Sequence, residues 1–218
     1  MSFAGRSRGD GRDSYHHGNL REALVAAALT LIAERGLSGF AFAELARAAG
    51  VSAAAPYRHF RDRNAVIIEV ARRGFEQLRD RLEAAYAGGK PDPLTAIEAC
   101  SRAHIAFARA QPAFYAAMFE TGFPHEDDAG LATAADQAFA VVRGAAQAAC
   151  AACKTTPRPP ALMVALHVWS LTHGIATLFV GGARGGRWHM PMAPEELLEA
   201  GLLIYFGSLG LTVPHTRS

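Results

Sequence analysis

What this chain lacks narrows its possibilities first. It has only three cysteines, Cys100, Cys150 and Cys153, which cannot build the paired framework of a disulfide-stapled domain. Cys150 and Cys153 form a CxxC, but it lies in AAQAACAAC with no second pair nearby. Without a zinc-ribbon partner or a βαβ redox setting, that spacing reads as small apolar packing on a helix. A redox role would require positive charge beside a thiolate. No apolar run reaches the roughly 18–20 residues of a membrane span without polar interruption. The N-terminal MSFAGRSRGDGRDSY lacks the apolar core of a secretory signal. These absences predict a cytoplasmic protein with no membrane partner. The chain also lacks β-alternating runs, internal repeats, a Ser/His/Asp constellation, a metal motif and a phosphate-binding loop. His167 and His173 are six residues apart and face different sides of a helix, a poor metal pair. No catalytic residue, metal or cofactor is therefore expected.

Half of the 218 residues are hydrophobic, enough for a sizeable core in one large domain or a small domain joined to a larger one. The net charge of +2 hides an asymmetry. Residues 1–81 hold 13 arginines and 9 acids, net +4, whereas residues 82–218 hold 9 basic and 11 acidic residues, net −2. The basic excess thus accompanies the N-terminal third, and a two-fold dimer would double it.

That third contains the most specific pattern, AFAELARAAGVSAAAPYRHFRDRNAV at residues 41–66. Ala46 lets a second helix cross closely, Gly50 can end the first helix in the left-handed conformation, and Ser52 can cap the next. A small residue, a glycine and a capping residue in that order predict a helix-turn-helix whose second helix enters the DNA major groove. The basic residues around it suit phosphate contacts.

Helical periodicity surrounds this unit. Asn19 precedes Glu22 by three residues, a capping-box signature, and Leu20, Leu24, Ala27, Ala28 and Leu31 follow with helical spacing until Gly36. This predicts a first helix over 20–35, short helices near 43–49 and 53–60, and a core completed by Phe40, Phe42, Leu45, Val51 and Phe60. A long helix follows from Asn64 to near the glycines at 88 and 89, with Arg72, Arg73, Arg79 and Arg81 read as solvated. Further helices are expected at about 93–110, 112–121, 129–153, 159–181 and 194–210, with Pro112, Pro160 and Pro194 in first turns. The expected architecture is all-α, about nine helices. It comprises a flexible basic arm at 1–17, a three-helix DNA-binding domain at 18–63, and a larger helical domain at 64–218. The last two helices are apolar almost all round, so a second subunit is expected to cover them as a four-helix bundle.

These residues resemble the TetR/AcrR family of transcriptional regulators. The match rests on YHHGNLREALVAAALTLIAERG and ELARAAGVSAAAPYRHFRDRNAVI, with Trp169, His173 and Gly174 in VWSLTHGIATL similar to the Trp-His-Gly signature of one C-terminal subgroup. The resemblance implies an all-α homodimer that binds double-stranded operator DNA and is released by a small molecule, with residues 64–218 as its ligand-binding and dimerisation domain. It places Ser52 to His59 on the recognition helix, Tyr57 and His59 in the family's Tyr-x-His-Phe, and Arg63 where a lysine usually opens the fourth helix. Two residues depart from the pattern. Ala41 stands where a Ser or Thr caps, and Pro56 lies within the recognition helix. Ala53, Ala54 and Ala55 offer only methyl groups to base edges, so Arg58 is the candidate for a guanine contact. The expected DNA-binding set is Ser52, Ala53, Ala54, Tyr57, Arg58, His59 and Arg63.

The C-terminal helices also carry an aromatic and histidine-rich group that includes Tyr115, Phe119 and Met163. From this group His104, Phe107, Phe114, Met118, Phe139, Trp169 and His173 are the expected ligand-binding set, since small-molecule sites are apolar with a few polar groups. His104, Trp169 and His173 stand out because buried polar tips need partners. Gly174, costly within a helix, predicts close helix–helix contact. The competing readings are a helical interaction protein without DNA binding and an enzyme using His104 or His173 as a base.

Overall fold

The computed structural model describes residues 12–122, 127–153, 157–180 and 191–211. The arm as far as residue 11, Pro124–Glu126 of the acidic loop and most of the glycine-rich stretch after Val180 lie outside them. Among the described residues there are eight α-helices and no strand: α1 (Arg12–Arg35), α2 (Phe42–Ala48), α3 (Arg63–Tyr86), α4 (Pro93–Ala110), α5 (Pro112–Phe119), α6 (Ala129–Ala152), α7 (Ala161–Val180) and α8 (Pro194–Ser208). A single 3₁₀ turn, Pro56–Arg58, stands between α2 and α3.

The punctuation follows local chemistry. Asp62 caps α3 by accepting from the Ala65 N–H at 2.8 Å, and Asp92 caps α4 through the Leu94 and Thr95 N–H groups. Asp128 caps α6 through the Leu131 N–H at 2.8 Å. Pro93, Pro112 and Pro194 each open a helix, where the missing N–H costs nothing. Pro160 instead lies one residue before α7.

The long α3 is the spine. Its N-terminal half packs against α1, and its remaining length packs against α4, α5 and most extensively α6. Leu24, Ala28 and Leu31 of α1 join Phe40, Leu45 and Phe60 in the N-terminal core, while Phe42 and Val51 are partly buried at its edge. α7 packs on α4 and α6, and α8 packs on α7 and α4.

Several expectations are corrected. α1 begins at Arg12, so residues 12–17 are helix, not arm, and Asn19 lies inside the helix instead of capping it. No proline stands between 12 and 19 to stop the helix from extending past a good capping pattern. The expected recognition helix over 53–60 is one 3₁₀ turn, entered from Ala55 and not capped by Ser52. Pro56 supplies no N–H, and Ser52 instead gives its backbone carbonyl to the Ala55 N–H at 3.0 Å. The arginines of α3 are not simply solvated: Arg72 and Arg73 bond to acidic side chains, and Arg81 lies 5.3 Å over the Phe107 ring. Among the described residues, a Cβ built on Gly174 meets nothing within 4 Å, so none of these helices makes the close contact expected there. Finally, Ala161–Phe179 is long and apolar enough by composition to cross a membrane, because its polar interruptions are His, Ser and Thr, with no Asp, Glu, Lys or Arg. Its buried side packs on the α4 and α6 core.

Candidate nucleic-acid interface and sensing cluster

Two groups of residues stand apart from ordinary core. The first is the edge that follows α2. Gly50, at φ 69°, takes the left-handed conformation that reverses the chain, and the Val51 N–H reaches back to the Ala46 carbonyl at 3.0 Å. Ala41 has no side chain to cap α2. Glu44 makes up part of that loss by accepting the Ala41 N–H at 2.8 Å and the Arg35 guanidinium at 3.0 Å. After the turn, Ser52, Ala53, Ala54, Tyr57 and Arg58 are all exposed, while His59 and Arg63 are half-buried.

Tyr57 is 63% exposed yet positioned, its ring edge-on to Phe42 with centroids 4.8 Å apart. Pro56 beneath it is buried and anchors the turn. Arg63, the first residue of α3, holds its guanidinium 4.8 Å over the Phe40 ring. Its buried Nε has no hydrogen-bond partner, and burial lowers its pKa. A cation at a helix N-terminus is unfavourable unless an anion lies near. The surface is thus a short, cation-bearing edge with an exposed aromatic ring, presented by a rigid three-helix support.

The second group lies where α4, α5 and α7 meet. The Tyr115 hydroxyl bridges two histidines, 3.3 Å from His104 Nε2 and 2.7 Å from His173 Nδ1. Trp169 stands edge-on to His104 at 4.9 Å and to Phe139 of α6 at 5.6 Å. Phe119 lies 4.5 Å from His173 and 4.7 Å from Tyr115. Burial, with His173 adding to it, pushes His104 down to about 3. Burial also lowers His173. It raises the Tyr115 phenol against a countering hydrogen bond to Thr177. All three polar groups are therefore neutral near pH 7. Thr172, beside His173, is buried with no hydrogen-bond partner for its Oγ1.

Of the seven residues expected around a ligand, the structure brings together His104, Phe139, Trp169 and His173. It places the other three on the α3 side: Phe107 lies under Arg81, and Phe114 and Met118 press on Gly74, where an added Cβ would sit 2.6 Å from Met118 Sδ. Tyr115 and Phe119, named in the aromatic group of the sequence but left out of the expected ligand-binding set, occupy the middle of the cluster. The available signal was the spacing of Tyr115 just past the Pro112 break, which folds α5 back across α4. His167 does not join the cluster; it stacks on Tyr205 of α8 at 3.6 Å. No group of three or more metal-ligating side chains occurs among the described residues. The cysteines are buried, with Cys100 raised to about 11 by burial and Cys150 raised by burial and by Cys153.

A third feature is an apolar face. α7 exposes Leu162, Met163, Leu166 and Leu178, and α8 exposes Leu203 and Ile204 at 70% and 73%. Gly201 brings α8 close to α7, since a Cβ there would meet Leu171 Cδ2 at 2.9 Å.

Comparison with known proteins adds to this geometry. Residues 24–70 match the family of bacterial regulatory proteins of the tetR type. Residues 97–204 match a tetracyclin repressor-like C-terminal domain. The comparison with curated proteins finds no match. Among solved structures, a protein of unknown function from Rhodococcus sp. RHA1 is 30% identical, with TM-score 0.75 over 91% of this chain and 100% of its own. The TetR-family transcriptional regulator PfmR from Thermus thermophilus is 21% identical, TM-score 0.64, over 83% of this chain and 96% of its own. AibR, solved with isovaleryl coenzyme A and operator DNA, is 16% identical, TM-score 0.64, over 85% of this chain and 97% of its own. At those identities the last two share the fold.

Proposed function

Because the chain belongs to the TetR family of bacterial regulatory proteins, and so to DNA-binding transcriptional regulators, we propose that it acts as a homodimeric repressor released from its operator by a small molecule. The observation that carries the DNA-binding part is the exposed edge Ser52–Arg58, with its uncovered Tyr57 and the Arg58 cation beside it. Tyr57, His59 and Arg63 hold phosphates, and Arg58 reads a base. On this reading α1 through Arg63 binds DNA, which moves the expected boundary at 18 to the start of α1, and residues 64–218 sense and dimerise.

The exposed Leu203 and Ile204, with Leu166 and Leu178, support the second subunit, since isologous pairing of α7 and α8 would cover all four. Pairing also sets two reading edges for half-sites about one helical turn apart, roughly 34–36 Å. The neutral aromatic cluster around Tyr115 supports the ligand. AibR, with its bound acyl-CoA and DNA, shows that this fold can hold both kinds of partner. The ligand must favour a conformation whose edges no longer match the half-sites, because equal affinity for both states shifts nothing.

The test is fluorescence anisotropy with DNA from upstream of the chain's own gene. Wild type should bind with a steep inverse dependence on salt, and the Tyr57→Ala, Arg58→Ala variant should lose at least roughly tenfold in affinity. Equal binding by the variant would remove these residues from the interface.

A further inference from the structure

Glu69 is a buried carboxylate on α3, 6% exposed, that the DNA-reading edge and the ligand cluster leave unexplained. Three guanidiniums converge on it. Arg21 of α1 approaches Oε2 at 3.1 Å, Arg72 bonds both oxygens at 2.9 and 3.0 Å, and Arg73 bonds Oε1 at 2.8 Å. Arg73 in turn clamps Glu22 of α1 with two bonds of 2.6 and 2.7 Å, and Arg72 also bonds Glu76. Three cations and three carboxylates thus form one neutral network tying α1 to α3.

The outer ends of this network lie in two different places. Arg21 sits 5.0 Å over the ring of Phe60, which directly follows the reading edge. Arg72 lies against the first turn of α6, where a Cβ on Gly130 would be 3.5 Å from its Cδ. Between those ends is a cleft of 660 Å³, lined by Arg21, Phe60, Arg61, Glu69, Arg72 and Asp128 among others. Open space stands there where packing would otherwise fix the edge against the body.

We infer that Glu69 is a positioning residue: by holding Arg21 and Arg72 on one carboxylate, it sets the placement of the DNA-reading edge relative to α6. The partners are unequal in a way that makes this specific. Without the Glu69 charge, Arg72 keeps Glu76 and Arg73 keeps Glu22, but the ion pair that holds Arg21 is lost. Arg21 is the member that touches Phe60. The inference rests on the DNA-binding reading for its functional consequence, but its structural part does not.

The test uses the full chain with Glu69→Gln. This change adds one unit of positive charge close to the DNA-reading edge, so electrostatics alone would tighten DNA binding. Mispositioning predicts the opposite, a loss of at least tenfold in operator affinity. Nitroxides at Ser38→Cys and Asp136→Cys, both exposed and diluted with unlabelled chain, report the distance from reading domain to α6. That distribution should broaden in Glu69→Gln, and also in Arg21→Met, the variant that folds if Glu69→Gln does not. Unchanged or tighter operator binding with an unchanged distance distribution overturns the inference. An unchanged distribution in a folded Arg21→Met does so too. If wild type itself binds no DNA, the functional reading fails, and the distance measurement alone decides the role of Glu69.

Discussion

Ile204→Glu is the sharpest perturbation of the proposed assembly, because the side chain contributes little to its own subunit. Ile204 and its neighbour Leu203 are 73% and 70% exposed on α8. Full burial of an Ile or Leu side chain contributes about 1.5–3 kcal/mol, so covering what each still exposes gives about 1–2 kcal/mol. The two-fold axis repeats every contact, so losing Ile204 alone removes about 2–4 kcal/mol from the dimer. At 1.4 kcal/mol per decade, that weakens dimerisation roughly 30- to 1,000-fold. A pair of carboxylates brought into an apolar face weakens it further. The subunit itself should be unharmed, since glutamate is the better helix former at an exposed position. Sedimentation velocity at micromolar concentration should find wild type dimeric and the variant monomeric, with the same helical circular dichroism and a lower, concentration-independent thermal midpoint, because association itself stabilises the fold. A variant that remains dimeric with wild-type affinity would remove α7 and α8 as the dimer face.

Two further outcomes concern the interior cluster. Tyr115→Phe removes the hydroxyl that bridges His104 and His173. It leaves the buried His104 Nε2 and the half-buried His173 Nδ1 without that partner and should cost about 1–3 kcal/mol for the buried nitrogen, read in urea denaturation. An unchanged midpoint would mean the bridge contributes nothing. Acid sensitivity has a defined sign and window. His104 is held near 3 in the fold against 6.5 when unfolded, so only the unfolded chain takes up a proton as pH falls between those values. Stability should therefore decline by about 1.4 kcal/mol per pH unit below 6.5, and His104→Gln should flatten that decline. Glu69 acts in the same direction but lower. Three arginines overcome its burial and hold it at about 2 against 4.5, so its contribution is full above 4.5 and lost as pH falls towards 2. A wild-type stability that stays flat from pH 6.5 to 5 would contradict the burial argument for His104.

Most of the helical order was legible because proline, glycine and capping aspartates stand at the breaks, and apolar spacing does the rest. The failures share a cause. Ala53-Ala54-Ala55 has high helix propensity, and sequence reasoning extended a recognition helix through it. The missing N–H of Pro56 and the absent Ser52 cap left a single turn. Arg72 and Arg73 looked solvated because a polar helix face has the same sequence signature whether it meets water or another element. The Arg73 partner Glu22 is 51 residues away. The cluster was half legible: histidine and tryptophan on apolar helices signal buried polar groups, but their meeting point, Tyr115, depends on how α5 folds across α4. Gly174 misled for a related reason. Helix cost says that a glycine needs an explanation, and the described residues of one chain do not contain the close contact expected.

The Tyr115 bridge has a direction. A phenol has one proton to give, and each neutral imidazole carries one N–H. With one proton and two lone pairs, the hydroxyl can donate to one histidine while it accepts from the other, and Thr177 is its third partner. The shorter 2.7 Å contact to His173 Nδ1 and the longer 3.3 Å contact to His104 Nε2 favour donation towards His173 and acceptance from His104. In that arrangement His173 carries its proton on Nε2, which makes its other face a donor. Reversing the chain requires three groups to exchange roles together, with no change in net charge. A group that accepts from His173 Nε2 favours one sense of the chain, and a group that donates to it favours the other. The cluster thus distinguishes polarity where it carries no charge.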